Sequence, residues 1–451
     1  MLRRIGRGLE HVVGAEVREG EWTLVFLFFI NLFLLLTAYY ILKVIREPLI
    51  LMGGGAVSRS YARGLQAGVL VLVVPAYSLI ANRLEPSKLV KWVLAFFVVT
   101  LGAFFIAGRV GAPLGFPFFV WLGIFSTLSI AQFWSLANDL LTEEEGHRLF
   151  PLVAAGGTVG GILGAQIAAH ALRWFDPYQL MLVAAAILGM CIFLTHVTHG
   201  RGLSRQNAPQ PEAAPRDNRG GFSLILRDRY LLLIAGGVIL LNLINTTGDY
   251  ILADLVNTKA HAIADAVERK RFIGEFYGNF QTWVSVLTAG VQILLVGRLF
   301  RTLGLARSLF LLPLLAFAGY GASAVLPGLA IVATVKVVEN STDYSLQNTI
   351  QQALFLRTSR DSKYKAKAAI DTFLVRLGDL GSMALVAAGV HLGLSVFGFA
   401  MTNVVAALTW LWIVRRLARH HAAATPVPEV EGAASQVVHD RVQTATALPS
   451  P

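Results

Sequence analysis

Lys363, Lys365 and Lys367 open an apolar run that holds Asp371, Arg376 and Asp379 and ends near Leu394. On a helix Lys363, Lys367 and Asp371 follow i, i+4, i+8 and share one face. A charge at a bilayer centre costs ~2.5–3.5 kcal/mol even on the lenient insertion scale, so such groups face a bundle interior or a wet cavity. Ions with a free face there can receive an ionic solute; the alternative is that Asp371, Arg376 and Asp379 only pair with neighbours and lock helices together. Lys367, a lone ammonium at a cavity mouth, is expected to contact an anion.

A second charged group ends the first apolar run: Lys43, Arg46 and Glu47, followed by Pro48. Lys43 and Glu47 are one turn apart, and Pro48 ends or kinks the helix. These residues line a cavity for an anion or, alternatively, snorkel to an interface. Asn242, Asn245, Asp249 and Asp254 fall in one later run, and Lys336, Glu339, Asn340, Asp343 and Gln347 in another. The spacings Lys336–Glu339 and Glu339–Asp343 permit pairing within the helix. Asn138 and Asn348 are candidate hydrogen-bonding groups for a polar solute or for their own bundles. Glu143, Glu144 and Glu145 suit a solvated helix N-terminus, where acids oppose the dipole and His147 and Arg148 offer partners.

Other patterns carry no chemistry. Gly156, Gly160 and Gly164 are four apart without a phosphate-loop lysine, the spacing of close helix packing. His196 and His199 lack further ligands, so no metal is expected. No nucleophile–base pair, nucleotide-hydrolysis signature or cofactor motif is present, so an enzyme is not expected.

The elements that must position these groups are membrane spans. The chain has 451 residues, 55% hydrophobic and 14% charged, with a net charge of +11. This is the composition of a polytopic membrane protein, and the basic residues fall in short loops rather than in a nucleic-acid-binding pattern. The single cysteine, Cys191, lies in an apolar run and excludes disulfides. No cleaved signal peptide is expected. Twelve all-α spans centre on Phe29, Leu72, Ala103, Ser126, Gly161, Ala186, Val238, Val286, Leu315, Val335, Val386 and Val405. Arg83, Lys88, Lys91, the arginines between 201 and 229, Arg298, Arg301, Arg307, Arg415, Arg416 and Arg419 all fall on the side of the N-terminus, which places both termini in the cytoplasm.

Residues 1–20 read as a cytoplasmic amphipathic segment, 21–199 as an N-terminal six-helix half, 200–229 as a linker, 230–420 as a second half, and 421–451 as a disordered tail. The halves are related. Tyr40-Ile41-Leu42 recurs as Tyr250-Ile251-Leu252, and Trp134-Ser135-Leu136-Ala137-Asn138 as Tyr344-Ser345-Leu346-Gln347-Asn348, both at a shift of 210. A common shift implies duplicated halves about an axis along the membrane normal, with a site at midplane between them.

Three stretches resemble the bacterial and plastid ATP/ADP translocase family: Tyr40 to Glu47, Phe133 to Pro151, and Lys365-Ala366-Lys367-Ala368-Ala369-Ile370-Asp371 with Arg376-Leu377-Gly378. The likeness runs over about residues 20–415. It implies a major-facilitator-like fold with twelve helices, exchange of ATP for ADP, and charged substrate-binding residues within the membrane. By position, the family's first-helix lysine looks like Arg46, its late lysine like Lys367, and its mid-chain acid is nearest Asp254.

The expectation is thus a nucleotide antiporter in a bacterial inner membrane, with no cofactor or metal and no nucleic-acid partner. Lys43, Arg46, Glu47, Asn138, Asn348, Lys367 and Asp371 are the expected substrate residues, and Asp249, Asp254, Glu339 and Asp343 the coupling or supporting ones. Tyr40, Trp134, Tyr250 and Tyr344 are rings available to stack on a base. A proton-coupled carrier of another anionic or amphipathic solute, using Asp249, Asp254, Glu339 or Asp371, and a non-transporting scaffold with a fully paired, closed interior are the alternatives.

Overall fold

A computed structural model describes residues 17–18, 21–81, 86–203, 221–355 and 366–423. Most of the amphipathic N-terminal segment, Arg83, the middle of the 200–229 linker, Lys363, Lys365 and the tail beyond 423 lie outside the described residues. The described part is helical: α1 (Trp22–Ala81), α2 (Pro86–Arg109), α3 (Gly115–Leu140), α4 (Glu143–Ala171), α5 (Pro177–Leu203), α6 (Gly221–Arg227), α7 (Arg229–His261), α8 (Ala266–Thr302), α9 (Gly304–Val325), α10 (329–354), α11 (Lys367–His391) and α12 (Val396–Ala423).

Ten helices among the described residues are long and apolar enough to cross a membrane. Two further crossings follow from local sequence. Helix α1 breaks at Gly55, whose φ of 66° reverses the chain into a second span. Only glycine takes that conformation without strain. Helix α10 is too rich in charge to stand out by hydropathy, yet Lys336 and Glu339 within it are fully buried. Every expected span centre falls in one of these helices, and the protein is an all-α polytopic membrane protein, with twelve crossings traced among the described residues.

Local chemistry sets the helix ends. Thr142 and Glu145 form a reciprocal capping box at the start of α4, with Glu145 N–H donating to Thr142 Oγ1 at 3.3 Å and Thr142 N–H to Glu145 Oε2 at 3.0 Å. Glu144 meets Arg18 at 2.6 Å and Glu21 is bound by both terminal nitrogens of Arg148, which ties α1 to α4. Asp176, Asp228 and Asp265 cap α5, α7 and α8.

The buried apolar residues form two cores. One is built from residues between Leu24 and Cys191. The other is built mainly from residues between Ile225 and Leu417, with Ile50, Leu51, Ala56, Ala62 and Phe119 added from the first half. In the first core Gly156, Gly160 and Gly164 lie on the α1 backbone: a Cβ at Gly160 would stand 2.2 Å from the Phe33 carbonyl oxygen. That contact is too close for any side chain, so the small-residue stripe serves packing. Gly160→Leu should therefore abolish a monodisperse folded peak on size exclusion in detergent, whereas Gly189→Leu, which meets open space, should keep it. A normal peak for Gly160→Leu would refute this packing account.

The halves touch mainly toward the end of the bundle that carries Gly55. Arg173, beyond the end of α4, pairs with Glu275 of α8 at 2.9 Å. Gln166 donates to Thr282 at 2.8 Å, Gly278 seats against Ala165 and Ala169, and Gly64 against Met383. Toward the opposite end, facing residues such as Tyr344, Asn138 and Asn348 are exposed.

Candidate functional site

At the seam of the halves lies a cavity of about 240 Å³ lined by α1, α3, α7, α8, α10 and α11. Lys43, Arg46, Arg59, Arg63 and Arg376 face it, against Asp249 as the single lining carboxylate among the described residues. Each arrives from helix geometry. Lys43 and Arg46 sit one turn apart before Pro48. Arg59, Arg63 and Gln66 follow i, i+4, i+7 just after the Gly55 reversal, which folds the second limb of α1 back beside the first.

The carboxylates are shared. Glu47 accepts from Arg59 Nε at 2.7 Å and also binds Arg46. Asp249 lies 3.9 Å from Arg59 and 3.2 Å from Lys336. Asp379 accepts from Arg63 Nε at 3.3 Å and stands 3.6 Å from Arg376. Lys336, 0% exposed, also donates to Glu339 at 3.0 Å, and Tyr320 O–H donates to the same carboxylate oxygen at 2.6 Å. That pairing is complete within the second half.

Four of the five lining cations thus share three carboxylates, and Lys43 makes no ion pair among the described residues. Its Nζ donates to Gln281 Oε1 at 3.0 Å and lies 5.1 Å from the Tyr40 ring centroid and 5.9 Å from that of Tyr39. The aromatic quadrupoles offset only part of a full charge. Arg46 stacks 4.0 Å over Phe119. Two buried polar groups lining the same cavity, the Tyr277 hydroxyl and Gln66 Oε1, have no hydrogen-bond partner among the described residues. Buried polar atoms are usually hydrogen-bonded to protein or water, so both groups are open to a polar partner in the cavity.

Of the sequence-selected residues, Lys43, Arg46 and Asp249 line the cavity, and Glu47 stands directly behind it. Lys367 does not: it pairs with Asp371 at 3.0 Å along one face of α11, and Gln351 donates to Asp371 at 3.1 Å. The expected lone ammonium is neutralised because its own i+4 residue is an acid. Asn138, on the last turn of α3, and Asn348, within α10, are exposed one turn beyond Trp134 and Tyr344. Glu339 is paired as described, and Asp343 and Asp254 are half-buried outside the lining. Arg376 and Asp379 are paired to each other, as one sequence reading had it, although Arg376 keeps a face on the cavity. Tyr250 packs on Phe399 at 4.9 Å rather than facing the cavity. Arg59, Arg63, Gln66, Gln281 and Tyr277 were not singled out. The spacing of two arginines and a glutamine along one face at the head of an apolar span was the available signal.

No family model matches the chain. It is 22% identical over 356 residues to ADP,ATP carrier protein 1 of Chlamydia trachomatis, covering 68% of this chain and 65% of that protein. It is 21% identical over 300 residues to ADP,ATP carrier protein 1 of Chlamydia muridarum, covering 57% and 54%. The chain is thus similar, at 21–22% identity, to these two ADP,ATP carrier proteins. The match spans less than two thirds of either carrier's length. Among solved structures, the nucleoside transporter NupG aligns with a TM-score of 0.65 at 12% identity, over 87% of this chain and 98% of that one. A bacterial homologue of the iron transporter ferroportin in its inward-facing state aligns with a TM-score of 0.62 at 13% identity, over 88% and 98%. At such identities the likeness shows the fold alone, a major-facilitator-like bundle of two helical halves. A further cavity of about 280 Å³ lies toward the Gly55 side, lined by Pro48, Gly54, Pro113 and Lys270. It carries one charge and takes no part in the network.

Proposed function

We propose that this protein exchanges adenine nucleotides, ATP for ADP, across a bacterial inner membrane by alternating access of residues 21–199 and 230–420 around the seam cavity. The observation that carries the reading is the set of five cations at that seam, four of them sharing three carboxylates and Lys43 held by Gln281. Cations left short of partners in a low-dielectric interior favour a polyanion, and guanidinium and ammonium groups bind phosphate through charge-assisted hydrogen bonds. Lys43, Arg46, Arg59 and Arg63 hold the phosphates, with Tyr277 and Gln66 completing the polar lining. The name carried by the chlamydial relatives supports the same solute. In this reading Lys367 and Asp371, with Asn138 and Asn348, belong to the vestibule rather than to the phosphate site.

Arg59 and Arg63 belong to the first half, and Asp249 and Asp379, which they bind, to the second. An arriving phosphate competes with those carboxylates for the same guanidiniums and so loosens the contacts between the halves. An empty carrier keeps the unmatched charge in the membrane, which disfavours its return without a solute and makes transport an exchange. The Lys/Arg bias of the loops puts the termini in the cytoplasm, so the Gly55 side faces out and the cavity opens inward.

Purified protein in liposomes loaded with ADP should take up labelled ATP, and liposomes without nucleotide should not. Uptake that follows a proton gradient and ignores internal nucleotide would instead favour a proton-coupled carrier. Folded protein that exchanges no adenine nucleotide would end the assignment.

A further inference from the structure

Beside the cationic cavity lies a second one of about 310 Å³, lined by Tyr40, Trp134 and Tyr344. Tyr344 lines both cavities, and the Tyr40 ring that borders the second carries the Lys43 ammonium of the first. We propose that this second cavity is the subsite for the heteroaromatic base of the nucleotide, which lies against the Trp134 and Tyr344 rings while its phosphates sit at Lys43. The inference rests on the nucleotide reading above and extends it to the part of the solute that carries no charge.

Size is the first argument. The cationic cavity alone, about 240 Å³, is below the roughly 300–1,000 Å³ of ordinary small-molecule sites, and the two together fall within that range. Chemistry is the second. The cationic cavity is almost wholly polar, whereas the second presents rings and aliphatic groups, so an amphipathic solute with one anionic and one flat apolar end matches the pair. Every base offers a π-face, and stacking on aromatic side chains is the general way proteins hold one.

Position is the third argument. Trp134 and Tyr344 occupy equivalent places in the two repeats, one on each half, so a ring held by both bridges the seam. Tyr344 sits on a π-helical turn, Asp343–Gln347, and is 49% exposed, while Asn340, one turn earlier, also faces the cationic cavity. An extra residue in a helical turn re-aims side chains, and such turns recur at functional sites. The floor is open because Gly157 and Gly161 lack side chains: a Cβ at Gly161 would press on the Tyr40 ring at 3.1 Å. Thr158, Ser285 and Thr288 also line it, and because the Thr288 hydroxyl already donates to the Val284 carbonyl at 2.7 Å, its oxygen keeps acceptor capacity for a base amino group.

The test is isothermal titration of the purified full chain with ADP and, separately, with tripolyphosphate, which has the charge and no base. Trp134→Ala and Tyr344→Ala should each weaken ADP by about tenfold and leave tripolyphosphate within about twofold of wild type, the size of one lost stacking contact. Tyr344→Phe should retain ADP affinity. Trp134 also packs on Phe133 and Phe150, so Tyr344→Ala carries the test if the Trp134 variant misfolds; the half-exposed Tyr344 ring contributes little to stability. Equal weakening of both ligands, or no change in ADP, overturns the base subsite while leaving nucleotide exchange standing. Wild-type protein that binds tripolyphosphate and not ADP overturns both.

Discussion

Lys43→Gln should cut nucleotide exchange in proteoliposomes by about 10–100-fold while the protein reaches the membrane in normal amount. The magnitude is that of one lost charge-assisted hydrogen bond, ~1.5–3 kcal/mol, at about 1.4 kcal/mol per tenfold. Lys43 is the informative cation because no carboxylate depends on it: its polar partner is the Gln281 amide, and its other neighbours are rings. Removing it orphans no buried acid, and a glutamine can still meet Gln281. The effect therefore falls on the guest rather than on the fold. Unchanged exchange in Lys43→Gln would show that the charge is not used on the solute.

Glu47→Gln should behave in the opposite way. Its carboxylate is buried and holds both Arg46 and Arg59. Breaking a buried pair by removing one partner costs about 3–5 kcal/mol, because the surviving charge stays desolvated. Here two guanidiniums lose their acid, so the thermal midpoint in detergent should fall sharply and the yield with it. ADP should restore part of the loss by supplying the missing negative charge, since a ligand that binds only the folded state stabilises it. A Glu47→Gln protein as heat-stable as wild type would mean that the two arginines find their counter-charge elsewhere.

The spans and the repeat were legible because each rests on a long-range regularity. Apolar runs of membrane length give the helices, and the shift of 210 brings Trp134 and Tyr344 to one pocket. Lys43 and Arg46 were legible because charges inside an apolar run need a wet or paired place. Arg59 and Arg63 were not, because Pro48 reads as a helix end, whereas the helix runs on past it to the Gly55 reversal. In a membrane a proline is tolerated where neighbouring helices satisfy the freed backbone. Lys367 was over-read for a different reason. Its i+4 acid was visible, but whether a helical pair closes on itself or opens to a cavity depends on the helices opposite. The same holds for Tyr250, which has the sequence context of Tyr40 yet turns against Phe399.

The central claim is that the seam cavity recognises the phosphate end of its solute. Equilibrium binding of ADP and of adenosine to the purified protein tests it most directly. The predicted result is saturable ADP binding with adenosine weaker by about 100-fold, the worth of roughly two phosphate contacts. Adenosine bound as tightly as ADP, or no ADP bound by folded protein, would contradict it.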